Sequence, residues 1–239
     1  MFKYLILVFL LTANLISVNP AFASKDFSND FGLWTAVNVN VPIKGKFESR
    51  FQVSPRWLNN ATDFNQFILH SLLGYRFNKH LSFFQGYAWS TYYAPRFIRE
   101  QRPYNDLLIS HSVDKFSFEH RFRLEERFIQ DVRGASVRAR YKLKGLYPLG
   151  RSKKWSLVFF DELFFNLNSP NNGPNSGIDQ NRIYVGILRK LTDNFSVEGG
   201  YQLQQRLTQG PNNPHKPDLL NHFLLLYLNY SLPSLAQGN

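Results

Sequence analysis

The sequence predicts an all-β fold: an antiparallel transmembrane β-barrel of about 10–12 strands with a charged, Arg- and Glu-rich lumen. Three observations predict it. Greasy and charged side chains alternate with a period of two in segment after segment. Aromatic residues make up 16% of the chain although its mean hydropathy is only −0.31. The first residues read as an export signal, and the chain contains no Cys. A barrel in lipid reconciles these features, because its outside needs apolar groups at alternate positions while its inside stays polar.

The alternation is plainest in FSFEHRFRLEER, residues 116–127. Glu119, Arg121, Arg123, Glu125 and Arg127 share one parity; Phe116, Phe118, Phe122, Leu124 and Phe128 share the other. A helix would scatter both sets around its girth, whereas a strand makes them two faces. His120 and Glu126 fall on the greasy side; Glu126 is expected near a strand end, where head-group depth tolerates a carboxylate, and His120 at a bulge. The same pattern predicts strands over 46–57, 66–77, 136–147 and 195–207, with fainter ones near 31–41, 81–93, 100–113, 155–166, 179–190 and 219–232.

The connections predict which end is which. PIKG (42–45), NKH (78–80), DK (114–115), PLGRSKK (148–154) and TDN (192–194) are short. LNNATDFN (58–65), APRFIR (94–99), LNSPNNGPNSG (167–177) and TQGPNNPHKPD (208–218) are longer and polar. Short turns at one end and longer loops at the other is the outer-membrane barrel pattern, with the short turns periplasmic. Eleven segments conflict with the usual even strand count. Residues 24–30 are therefore expected to supply a short extra strand or to thread the lumen.

The start, MFKYLILVFLLTANLISVNPAFAS, has Lys3, an apolar run and Ala21-Phe22-Ala23 before Ser24. It reads as a secretory signal peptide over residues 1–23, leaving a single barrel domain over 24–239. With no Cys, no disulfide framework or lipoprotein anchor is available, so the sheet itself must carry the stability. The formal charge of +11 falls by one when Lys3 is removed. A basic excess on an exported chain points to anionic lipid, including lipopolysaccharide, or to a small anionic solute, and away from nucleic acid.

Several of these residues also resemble, in order, the motifs of a bacterial domain-of-unknown-function family of predicted outer-membrane barrels: a Trp near the mature start, then E-x-R-x-W-Q, R-x-R-x-E-x-R, Q-N-R and E-x-G-Y. Trp34 fits the first; Glu100 and Arg102 fit the second, with Tyr104 and Asn105 replacing its Trp and Gln. Arg121, Arg123, Glu125 and Arg127 fit the third, Gln180, Asn181 and Arg182 the fourth, and Glu198, Gly200 and Tyr201 the last. The resemblance spans nearly the whole mature chain. It implies a compartment and a fold, and no activity.

The candidate lumen and anion-binding residues are Glu48, Arg50, Arg102, Glu119, Arg121, Arg123, Glu125, Arg127, Arg138, Arg140, Lys142, Glu162, Arg182, Glu198 and Arg206. Arg56 and Lys144 share the inward parity, so inward cations outnumber the carboxylates Glu48, Glu119, Glu125, Glu162 and Glu198. Two readings follow: a narrow pore selective for small anions, or a structural or binding barrel whose paired side chains fill the lumen. A lipid-modifying outer-membrane enzyme is the alternative from another class. Its nucleophile and base would have to come from LHS (69–71) or SHS (110–112), but neighbouring strand residues point to opposite faces. No phosphate loop, metal-ligand spacing or cofactor motif is present, so no cofactor is expected.

The export reading is checked by fractionation. Mature protein is expected to begin at Ser24, to sediment with the outer membrane and to shift in gel mobility on heating. Recovery from the soluble periplasm would refute the barrel.

Overall fold

The alternating segments become strands because each has one face for an apolar medium and one for a polar interior. The computed structural model describes residues 27–93, 96–207 and 218–233. It contains eleven strands: β1 Phe27–Pro42, β2 Phe47–Leu58, β3 Asp63–Arg76, β4 Leu81–Tyr92, β5 Ile98–Val113, β6 Phe116–Ile129, β7 Ser136–Leu149, β8 Trp155–Asn166, β9 Gly177–Lys190, β10 Phe195–Arg206 and β11 Asp218–Ser231. Each pairs with its sequence neighbours, and β1 closes the barrel on β11.

Consecutive strands are antiparallel, but the closing pair is parallel, running in register from Phe27↔Asp218 to Asn40↔Ser231. This corrects the expected even count. An odd number of alternating strands brings the first and last together pointing the same way, and a parallel ladder closes as completely as an antiparallel one. Residues 27–30 lie at the start of β1 rather than in an extra strand or in the lumen. Residues 24–26, and the predicted signal peptide, lie outside the described residues.

The connections follow the predicted alternation with two corrections. Residues 59–62 form a four-residue turn with left-handed Asn59, Asn60 and Ala61, because β2 and β3 extend into the expected loop. Likewise β5 begins at Ile98. At the opposite end β5 and β6 are joined by Asp114–Lys115 alone, with Asp114 at φ 54°, a conformation Asp tolerates.

The outward face carries an apolar band that includes Val37, Phe51, Val53, Leu69, Leu107, Phe122, Leu124, Leu163, Val185 and Leu224, all exposed. Aromatic clusters flank it. Phe47 packs on Tyr75 with ring centres 5.0 Å apart toward the short turns, and Phe64 on Tyr93 at 5.0 Å toward the other end. Such girdles mark the two interfaces of a membrane-spanning barrel.

Several polar groups on this face are paired within the barrel. His120 Nδ1 and Tyr141 Oη share a hydrogen bond of 2.8 Å, Asn181 Nδ2 donates to Asp161 Oδ1 at 2.6 Å, and Tyr201 Oη meets His222 Nδ1 at 2.6 Å. This replaces the bulge expected at His120, where the register is continuous on both sides. In hydrocarbon a polar side chain has no water to turn to, so a cross-strand partner takes that role.

The face assignment predicts the outcome of one substitution. Phe122→Arg is expected to cost about 2–4 kcal/mol at mid-membrane depth. The heat-modifiable folded fraction should fall sharply, while Lys115→Gln in the β5–β6 turn should leave it unchanged. Equal yields would overturn the assignment.

Candidate functional site

The inward parity of β5, β6 and β7 places a dense charged wall along one side of the lumen. Glu100 accepts from Arg102 Nη2 at 2.7 Å and from Arg127 Nε at 2.7 Å. Asp106 holds Arg123 by a two-pronged pair, both contacts 2.6 Å. Glu125 accepts from Arg138 Nη2 at 2.7 Å and Arg140 Nη1 at 2.6 Å. Glu162 on β8 accepts from Arg140 Nη2 at 2.6 Å and from Arg121, with Arg182 Nη1 3.9 Å away. Arg138 also reaches Asp179 at 3.1 Å. Arg102 and Arg123 lie 3.9 Å and 3.6 Å from Glu125, which joins these groups into one network.

The pairing follows from register. Arg123↔Arg140 and Glu125↔Arg138 are direct cross-strand neighbours on β6 and β7. Like charges so close are tolerated only with compensation. Here Glu125, fully buried beneath the arginines, supplies part of it. Aromatic faces supply more. Phe164 lies 4.2 Å from the guanidinium carbon of Arg140, 4.5 Å from that of Arg182 and 5.0 Å from that of Arg138. Tyr104 lies 3.8 Å from that of Arg123. The negative face of each ring attracts the cation without adding a formal charge.

The remaining candidates sit elsewhere in the lumen. Near the short turns Glu48 receives Arg50 and Arg76, each at 2.6 Å. Lys144 reaches Glu198 at 3.5 Å, although its register neighbour is Glu119. Glu119 and Arg206 line the cavity. Lys142 lines it too, 5.4 Å from the Phe160 ring centre, and forms no ion pair among the described residues.

Two buried apolar clusters also face the lumen. Trp34, Phe160, Tyr184, Phe223 and Leu225 form one buried cluster, and Ile68, Ala88 and Tyr104 another. Several of these rings lie flat against the wall because glycine stands beneath them. A Cβ at Gly74 would strike Phe84, one at Gly86 would strike Tyr104, and one at Gly186 or Gly200 would strike Tyr184. Flattening the rings keeps the centre clear. One cavity of about 1020 Å³ is lined from Thr192–Asn194 and Ser231 at the short-turn end to Val132 and Asn172–Pro174 at the other.

The sequence reading missed Asp106 and Asp179. Asp106 shares the parity of Arg102, so its signal was present. Asp179 had none. The register shift between Phe164 and Phe165 leaves it as the extra residue of a bulge, and it turns inward beside Gln180. The proposed Ser and His pairs separate as strand geometry requires. His70 lines the lumen and bonds Tyr104 Oη at 3.0 Å, and His111 stacks outside on His120.

Glu125 is the bridge whose loss should be felt most. Glu125→Gln removes the charge that compensates Arg138 and Arg140, and is expected to destabilise the barrel by about 3–5 kcal/mol. Glu119→Gln should have little effect. Urea titration of folded protein in detergent, read by gel mobility, compares them.

Comparisons with known proteins agree with this architecture. The chain is 29% identical over 208 residues to an uncharacterized protein of Methylorubrum extorquens, covering 84% of this chain and 89% of that one. Its fold is similar to that of the NanC porin, with a TM-score of 0.54 and 9% identity, covering 85% of this chain and 98% of that one. The residues that meet inside the lumen are largely those of the ordered motifs. Arg127 of the third bonds Glu100 of the second, and Arg182 of the fourth lies over Trp34 of the first. Residues 31–214 match the family described as "Protein of unknown function (DUF2490)", and the chain belongs to that family.

Proposed function

We propose that this protein is an outer-membrane barrel that passes small anionic solutes through a narrow lumen. The observation that carries the reading is the cavity reaching from the short turns to the opposite loops with cations along its wall. Strands of 12–16 residues, rising about 3.3 Å per residue and tilted about 40°, cover roughly 30–40 Å. Spread over that path, 1020 Å³ leaves room for solutes in single file, on the order of 30 Å² in cross-section. Rings of cationic side chains select anions by lowering the energy of entry.

The outer-membrane location is supported by the porin-like fold, the aromatic girdles and the export signal in the sequence. With the short turns in the periplasm, the longer connections face lipopolysaccharide, which with the surrounding lipid is the expected partner. The filled-barrel reading finds support in the β5–β7 wall, where the arginines are held by carboxylates. The cavity beside that wall favours the pore.

Planar bilayers test the proposal. Purified protein is expected to give stable conductance that prefers chloride over potassium. Lys142→Glu, at a cation without an ion pair among the described residues, should weaken or reverse the preference. Arg138 and Arg140 suit this test less, because each holds Glu125. A cation-selective wild-type pore, or no stable conductance, would overturn the proposal.

A further inference from the structure

We infer that the lumen contains a discrete oxyanion-binding station, formed by Arg56 and Arg182 around Trp34, that takes the carboxylate or phosphate group of a small solute. This rests on the pore reading for its physiological role but not for its existence.

The guanidinium carbons of Arg56 and Arg182 lie 3.9 Å and 4.9 Å from the Trp34 ring centre. They come from β2 and β9, on different sides of the β1–β11 closure. Arg56 is unlike the arginines of the charged wall. Its Nε donates to Ser54 Oγ at 3.4 Å and its Nη1 to Gln66 Oε1 at 3.1 Å, and it meets no carboxylate among the described residues. Arg182 donates through Nε to Gln204 Oε1 at 2.8 Å. Its one carboxylate neighbour among the described residues, Glu162 at 3.9 Å, is already shared with Arg121 and Arg140.

Neutral acceptors thus orient both guanidinium groups without neutralising them, and both groups line the cavity. A planar fork held this way matches two oxygens of a carboxylate or phosphate. A second observation points to the same place. Gln202, 1% exposed, neighbours Gln204 along β10 and lies opposite Tyr184 and Phe223, and its Nε2 donor has no partner among the described residues. Phe223 in turn packs on Trp34 with ring centres 4.1 Å apart. A spare donor beside two incompletely compensated cations is what an oxyanion would satisfy.

The test is calorimetric titration of the folded full-length mature barrel in detergent at fixed ionic strength with inorganic phosphate and, separately, acetate. Saturable binding of at least one, at one per barrel, is expected; which binds tighter tells phosphate from carboxylate solutes. Arg56→Gln should weaken it about tenfold by removing a charge-assisted contact. Gln202→Met should weaken it about threefold or more with gel mobility unchanged. If Arg56→Gln does not fold, Gln202→Met and Arg182→Lys, which keeps the charge but loses the fork, carry the test. No saturable binding, or affinities unchanged in the folded variants, would overturn the station. Anion-selective conductance without such binding removes the station and keeps the pore; Arg56-dependent binding without conductance does the reverse.

Discussion

Closure of the sheet is the constraint on which everything else in this molecule depends. In hydrocarbon an unpaired strand edge would leave a row of amides and carbonyls without partners, each at a cost of several kcal/mol. With eleven strands the edges can meet only in parallel, and β1 and β11 do so from Phe27↔Asp218 to Asn40↔Ser231. That ladder also sets the inside. It brings Trp34 of β1 beside Phe223 and Leu225 of β11, and it places Arg56 of β2 across the seam from Arg182 of β9. The aromatic side of the lumen exists because the closure gathers strands distant in sequence.

Once closed, a barrel of this size must fill its interior without blocking it. It does so in two ways. On β5–β8 long side chains fold onto one another: Glu100, Glu125 and Glu162 each bridge arginines, so the charges lie along the wall. On β4, β5 and β9, glycines let Phe84, Tyr104 and Tyr184 lie flat. The same physics works in reverse outside, where Phe, Leu and Val form the apolar band and several polar groups pair with each other.

The family motifs make sense at this level. In the stretch Gln180-Asn181-Arg182, the first and third residues face the lumen, while Asn181 turns outward to satisfy Asp161. In Glu198-Gly199-Gly200-Tyr201, Glu198 faces Lys144, Gly200 provides the floor beneath Tyr184, and Tyr201 bonds His222 outside. These two motifs each serve both faces of one strand, whereas Arg121, Arg123, Glu125 and Arg127 of the third all face inward.

The sequence by itself determined the barrel, the strand positions, which side chains face inward and the Arg and Glu character of the lumen. A period of two is a local property, and a strand needs nothing else to sort its two faces. Only the tertiary structure decided the parallel closure, the partners of each charge and the path of the cavity. Strand count leaves the closing register open, and pairing between residues such as Arg121 and Glu162 depends on the register of three strands at once. Asp179 shows the limit most clearly. Alternation read along its own strand gives it no inward place, and only the bulge against β8, a relation between two strands, turns it toward Arg138.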